Sequence, residues 1–173
     1  GQAGNDSIVG SPLNDGILGG SGNDLIFAGN GNDIIWGEDG FDTIFGESGG
    51  DTILGGAAGD SLVGGPGDDT VKGEGGFDVI EGGNGNDLLG GDQGHDTIVG
   101  DSGEDTIFGG SGNDKILGGS GNDWLQADSI DVDVILTTGG NDTVWGGAGD
   151  DTIAGGPGDD WIFCESGNDI AFG

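Results

Sequence analysis

An aspartate recurs every nine residues along almost the whole chain, and no other feature limits the fold as tightly. The series runs Asp6, Asp15, Asp24, Asp33, Asp42, Asp51, Asp60, Asp69, Asp78, Asp87, Asp96, Asp105, Asp114, Asp123. One step of ten leads to Asp133, and steps of nine resume through Asp142, Asp151, Asp160 and Asp169. Nineteen repeats and one inserted residue thus fill nearly all of the 173 residues. A fixed short period of this kind marks a solenoid, whose units bury apolar surface only against their neighbours.

Two residues after each aspartate stands an aliphatic side chain, from Ile8, Ile17 and Ile26 through Ile153 and Ile162; only Ala171 breaks the column. Two residues before each aspartate stands Gly, with Leu13, Ala58 and Asp131 as the exceptions. Side chains alternate across a strand, so a three-residue strand centred on the aliphatic position turns one apolar group inward. The six intervening residues, such as Gly109-Gly110-Ser111-Gly112-Asn113-Asp114, must turn the chain sharply, and glycine permits the positive φ this needs. Two units back to back make a flattened coil of 18 residues with its aliphatic columns face to face. Stacked coils give two parallel sheets, and nineteen half-coils predict a length of roughly 45 Å.

The segments fit the pattern G-G-x-G-x-D-x-U-x over essentially the whole chain, and in this the sequence resembles the RTX (repeats-in-toxin, haemolysin-type) family of calcium-binding repeats. The expected fold is all-β: a right-handed parallel β-roll, a two-sheet β-solenoid of 18-residue coils. It forms a single domain over residues 1–173, with an irregular insertion near 126–138. The resemblance implies calcium held between successive turns on one side, by the motif aspartates and turn carbonyls. It also implies type I secretion from a Gram-negative bacterium or a relative, and folding outside the cell when calcium is met.

The residues support the same cation independently. Scattered Asp is ordinary turn chemistry, but one carboxylate at a fixed phase in every repeat is not. Repeats 18 apart lie above one another, so the aspartates form two like-charged columns. Such columns repel unless cations sit between their members. Stepping along the sequence puts Asp6, Asp24, Asp42, Asp60, Asp78, Asp96, Asp114, Asp133, Asp151 and Asp169 in one column and the other nine in the second. Hard oxygen ligands select Ca²⁺, for which glycine-rich turns supply further carbonyls; Mg²⁺ keeps its waters and a stricter octahedron. Zinc would need His or Cys, and the chain has only His95 and Cys164. All nineteen aspartates are therefore candidate ligands, for up to about 17 ions. Weaker sites are expected at Leu13, at Ala58 and around residues 126–138.

Charge sets further bounds. With 33 acidic residues against Lys72 and Lys115, the net charge is −31, which excludes nucleic acid as a partner. No run is long enough to span a membrane as an apolar helix. His95 has no nucleophile or oxyanion hole implied around it, and carboxylate pairs that recur nineteen times suit a metal lattice better than a glycosidase site. No enzyme is expected. Cys164 stands where a turn glycine usually sits, although an exposed thiol there would be able to link two chains.

The residue three after each aspartate should face outward, yet Phe27, Trp36, Phe45, Leu54, Phe108, Leu117, Trp145, Phe163 and Phe172 are apolar. Trp124 and Trp161 should also face out. Rows of this kind predict contact with another subunit or domain, while Lys72, Glu81 and Gly90 keep the middle of the roll wet. The chain does not begin with Met and shows no signal peptide, as expected of a processed product or an excised segment. Two roles stay open. One is a calcium-dependent scaffold module of a larger secreted, extracellular protein. The other is a subunit of a filament or surface layer joined head-to-tail, each copy turned by half a revolution because the repeat number is odd.

Overall fold

Each described nonapeptide contributes one strand, because its aliphatic side chain is driven out of water and its glycines let the chain turn. The computed structural model describes residues 1–128, 141–156 and 158–173, and among these eighteen strands form two parallel nine-stranded sheets without any helix. In chain order one sheet holds β1 (Ser7–Val9), β3 (Leu25–Asn30), β5 (Thr43–Ser48), β7 (Ser61–Pro66), β9 (Val79–Asn84), β11 (Thr97–Ser102), β13 (Lys115–Ser120), β15 (Thr143–Ala148) and β17 (Trp161–Ser166). The other holds β2 (Gly16–Ser21), β4 (Ile34–Asp39), β6 (Thr52–Ala57), β8 (Thr70–Gly76), β10 (Leu88–Gly94), β12 (Thr106–Ser111), β14 (Trp124–Asp128), β16 (Thr152–Ala154) and β18 (Ile170–Phe172). Consecutive strands alternate between the sheets, which makes the chain a parallel β-solenoid.

Strands are longer than the three residues that the apolar pattern predicts; most run for six, through the glycine pair. The cause is the constant coil length. Gly29 lies beside Glu47 and Asn30 beside Ser48, so the ladder continues past the aliphatic residue. The bonding even crosses the turns: Gly22 N–H donates to the Asp39 carbonyl at 2.8 Å and Thr43 N–H to the Asp24 carbonyl at 2.8 Å. Backbone groups that a lone turn would leave to water are thus satisfied along the solenoid axis.

The aliphatic columns of the two sheets form one core. Ile26, Ile35, Ile44, Ile53, Leu62 and their counterparts on to Ile153 are fully buried, while Ile8 and Ile162 close it only in part. Ile135 lies outside the described residues. The outer faces carry the expected apolar rows, stacked along the axis: Phe27 on Phe45 at 5.0 Å and Trp145 on Phe163 at 5.4 Å. Trp124 and Trp161 face out. The middle is less polar than expected, because Val79 and Leu88 are exposed there beside Lys72 and Glu81.

One part of the register departs from the reading by nines. Lys115 pairs with Thr143 and Trp124 with Thr152, steps of 28 where 18 holds elsewhere. Ten residues between β14 and β15 are in excess of one coil. Asp133 itself, and the irregular stretch from residue 129 on, lie outside the described residues.

Candidate metal centre

From Asp6 to Asp151 the turns give each described motif aspartate the same hydrogen bond. Its backbone N–H donates to Oδ1 of the aspartate one coil on, as from Asp42 to Asp60 at 2.7 Å and from Asp78 to Asp96 at 2.9 Å. Sixteen such bonds build two continuous rails. The first runs Asp6, Asp24, Asp42, Asp60, Asp78, Asp96, Asp114, Asp142, Asp160, and the second Asp15, Asp33, Asp51, Asp69, Asp87, Asp105, Asp123, Asp151, Asp169. This corrects the columns expected from stepping along the sequence. Asp142, not Asp133, follows Asp114, and Asp6 and Asp169 end on different rails. The rails have sixteen gaps between described members rather than seventeen, and the half-turn between successive copies loses its premise.

Thirteen of these aspartates, from Asp24 to Asp151 with Asp114 set aside, have an Oδ2 atom that is buried and has no hydrogen-bond partner. The four at the ends, Asp6, Asp15, Asp160 and Asp169, are half-buried. Carboxylate oxygens in that position are costly unless something positive or a proton meets them. Burial, more than any other influence, raises the pKa of eleven rail aspartates between Asp42 and Asp151. Asp60 and Asp69 are pushed up to about 7, against the rail N–H bond that lowers them and with the like charges of neighbouring carboxylates adding to the rise. Asp78, Asp105 and Asp123 are pushed up to about 6 for the same reasons in the same order.

The space in front of the free oxygens is shaped by the first glycine of each repeat. A methyl group on Gly46 would stand 2.5 Å from Asp51 Oδ2 and 2.7 Å from the Gly64 carbonyl oxygen, and one on Gly64 would stand 2.5 Å from Asp69 Oδ2 and 2.8 Å from the Gly82 carbonyl. Carboxylate and carbonyl oxygens from adjacent coils therefore converge where a side chain is missing. Among the described residues no three His, Cys, Asp or Glu side chains meet at one point. A cation there would draw on at most two carboxylates and complete its shell with backbone carbonyls and water. That donor set is all oxygen and flexible, and it fits Ca²⁺.

The sequence missed two features of the turns. The residue just before the motif aspartate forms a second, outer ladder, since Asn5 Oδ1 accepts from Asn23 N–H at 3.0 Å and Asn113 Oδ1 from Asn141 N–H at 2.8 Å. The recurrent Asn at that position was its signal. His95 joins this ladder through Nδ1, which accepts from Asn113 N–H at 2.7 Å, and it stacks on Phe77 while staying exposed. The second feature is a set of acidic residues in left-handed backbone, Glu38 and Asp92 among them. Ala58 shares that conformation at φ 79°, a strained one for a residue with a Cβ, whereas Leu13 escapes it. Cys164 occupies a first-glycine position and is half-buried against the core.

The family profile of the RTX calcium-binding nonapeptide repeat (4 copies) matches residues 1–35, 9–44, 27–62, 54–89, 63–98, 90–125 and 136–171. None of these segments spans 126–135, the neighbourhood of the register jump. No individual curated protein matches the chain.

Proposed function

The chain belongs to the RTX calcium-binding nonapeptide repeat family, and from that premise we propose that it is a secreted β-roll which folds as calcium fills its turns and serves as a scaffold module of a larger extracellular bacterial protein. The observation that carries this is the row of thirteen buried Oδ2 atoms without a partner. A fold that leaves so many carboxylate oxygens unmatched is unfavourable on its own, and calcium between adjacent coils supplies the missing positive charge. The motif aspartates of both rails and the carbonyls of the first glycines would hold the ions, up to sixteen of them, one per gap between described rail members. Sixteen Ca²⁺ ions would bring the −31 chain close to neutrality.

The regular turns and flat faces suit a structural role rather than catalysis. Circular dichroism during a calcium titration tests the proposal. The β signal should appear steeply at about 10⁻⁴–10⁻³ M calcium, in the range of extracellular modules. A full β spectrum that persists in excess chelator at neutral pH would defeat it.

A second reading, a subunit of a calcium-dependent extracellular filament or surface layer, is favoured by the stacked aromatic rows on the outer faces, which suit side-by-side packing. Light scattering and electron microscopy in millimolar calcium separate the two. Ordered polymers formed by this chain alone support the filament, and a monomer at high concentration removes it.

A further inference from the structure

Each sheet carries an outward row with one side chain from every strand, three residues after the motif aspartate. In the sheet of even-numbered strands it runs from Leu18 through Leu54, Lys72, Gly90 and Phe108 to Phe172. In the other sheet it runs from Val9 through Val63, Glu81, Val99 and Leu117 to Phe163. Lys72 is the one charged member of its row, and Glu81 is the one charged member of the other. They have opposite signs and stand on consecutive strands, β8 and β9. Both are exposed, and among the described residues Lys72 makes no ion pair. The second lysine, Lys115, lies instead against the Trp145 ring of its own chain.

The shapes of the rows agree with their charges. Beside Lys72 the row is interrupted at Gly90, where a Cβ would meet nothing nearer than Lys72 Cγ at 3.9 Å. The interruption leaves a notch of about 250 Å³ walled by Lys72, Leu88, Asp92 and Phe108. Beside Glu81 the other row carries Val99, a compact apolar side chain. One coil separates Lys72 from Gly90, and one coil separates Glu81 from Val99. If the two rows are laid face to face with coils advancing in the same direction and Lys72 against Glu81, Val99 therefore meets the notch. Leu54 then meets Val63, and Phe108 meets Leu117.

We propose that the face bearing Lys72 packs on the face bearing Glu81 of a second copy of this chain, with Val99 seated in the notch at Gly90. The inference rests on the filament reading above and gives it a direction. Such a contact joins two different faces, so it stacks copies side by side without closing. A face packed on its own copy would set Lys72 or Glu81 against its like or against uncharged members of the row. A charge buried in an apolar contact without a partner is unfavourable, so the two charges select the opposite face. Calcium must come first, because uncompensated chains of net charge −31 repel one another.

Light scattering and sedimentation in millimolar calcium provide the test. K72E and E81K should each raise the concentration needed for assembly roughly a hundredfold, since like charges then meet. K72E/E81K should regain assembly, and an equimolar mixture of the two single variants should co-assemble although each alone stays dispersed. G90L, which fills the notch, should weaken assembly as well. Circular dichroism should give all four variants the calcium midpoint of the unaltered chain, because the changes lie on the outer faces. Single variants that assemble like the unaltered chain, or a double variant that does not recover, overturn this proposal and leave the filament reading standing. Unweakened assembly of G90L overturns the register, and loss of β structure in K72E/E81K would mark the two residues as merely structural and overturn the proposal too. An unaltered, calcium-loaded chain that stays monomeric at high concentration overturns the proposal and the filament reading together.

Discussion

A motif aspartate does three things at once. Asp96 donates its N–H to Asp114 Oδ1, accepts the N–H of Asp78 on its own Oδ1, and leaves Oδ2 buried toward the adjacent coils. Asp96→Ala therefore removes an acceptor that Asp78 N–H cannot replace and a ligand shared by two gaps. In saturating calcium it should cost about 1–3 kcal/mol of stability and lower the bound calcium by up to two ions. Glu104, one residue before a motif aspartate, lies on the outer ladder, where its backbone N–H donates to Asn86 Oδ1. Glu104→Ala should stay within about 0.5 kcal/mol. Calorimetry and thermal unfolding of the two variants give the comparison, and equal losses would contradict the roles assigned to the rails. The aspartates were legible because their phase never varies. The left-handed acids were not, because the signal for that position is glycine, and an acid there reads as an ordinary exposed turn residue.

A rail is an element in its own right, and its titration can be read from its burial. An Asp has a pKa near 3.8 when exposed, and Asp60 and Asp69 reach about 7 in the folded chain. In the absence of calcium the folded rail thus binds more protons than the unfolded chain throughout the interval between these values. Stability of the metal-free fold is present below about pH 4 and is lost as pH rises toward 7. Acid and calcium are then alternative ways to satisfy the same oxygens. In chelator, circular dichroism should show β structure returning as pH falls from 7.5 to 4, and the calcium midpoint should rise as pH falls below about 6–7, because a protonated carboxyl is a poor ligand. A metal-free chain that loses β structure on acidification would contradict the burial argument. The sheets themselves were legible from the aliphatic column, since one inward side chain per nine residues leaves a parallel stack as the only way to bury it. Strand length was not, because glycines that signal a turn also keep pairing when the identical turn lies one coil away.

The whole molecule is held by repetition, so its one irregularity governs how its parts are related. Counting by nines assigns a repeat to Asp133, yet β13 pairs with β15 and Lys115 Nζ lies 5.5 Å from the Trp145 ring centre, contacts that skip it. The sequence hid this because Asp133 and Ile135 satisfy the motif locally, and only pairing across coils reveals the surplus. The surplus can be regarded as a question of frame, as an editor would regard an inserted clause. Text removed between the right two words leaves a sentence that still parses. Deleting residues 130–139 joins Ser129 to Gly140 and yields Ala127-Asp128-Ser129-Gly140-Asn141-Asp142, a nonapeptide turn with glycine and aspartate in their proper places. Every later strand would keep its neighbours. The shortened chain should fold at the same calcium concentration or a lower one, with thermal stability within about 1 kcal/mol of the original or above it, because a surplus of ten residues changes the closure entropy only slightly. Removing nine residues or eleven would leave the joining coil one residue too long or too short, and those two chains should need more calcium to fold. The tolerance of this protein to change is thus set by arithmetic: a cut is silent when it returns the chain to the place it left, whatever residues it takes.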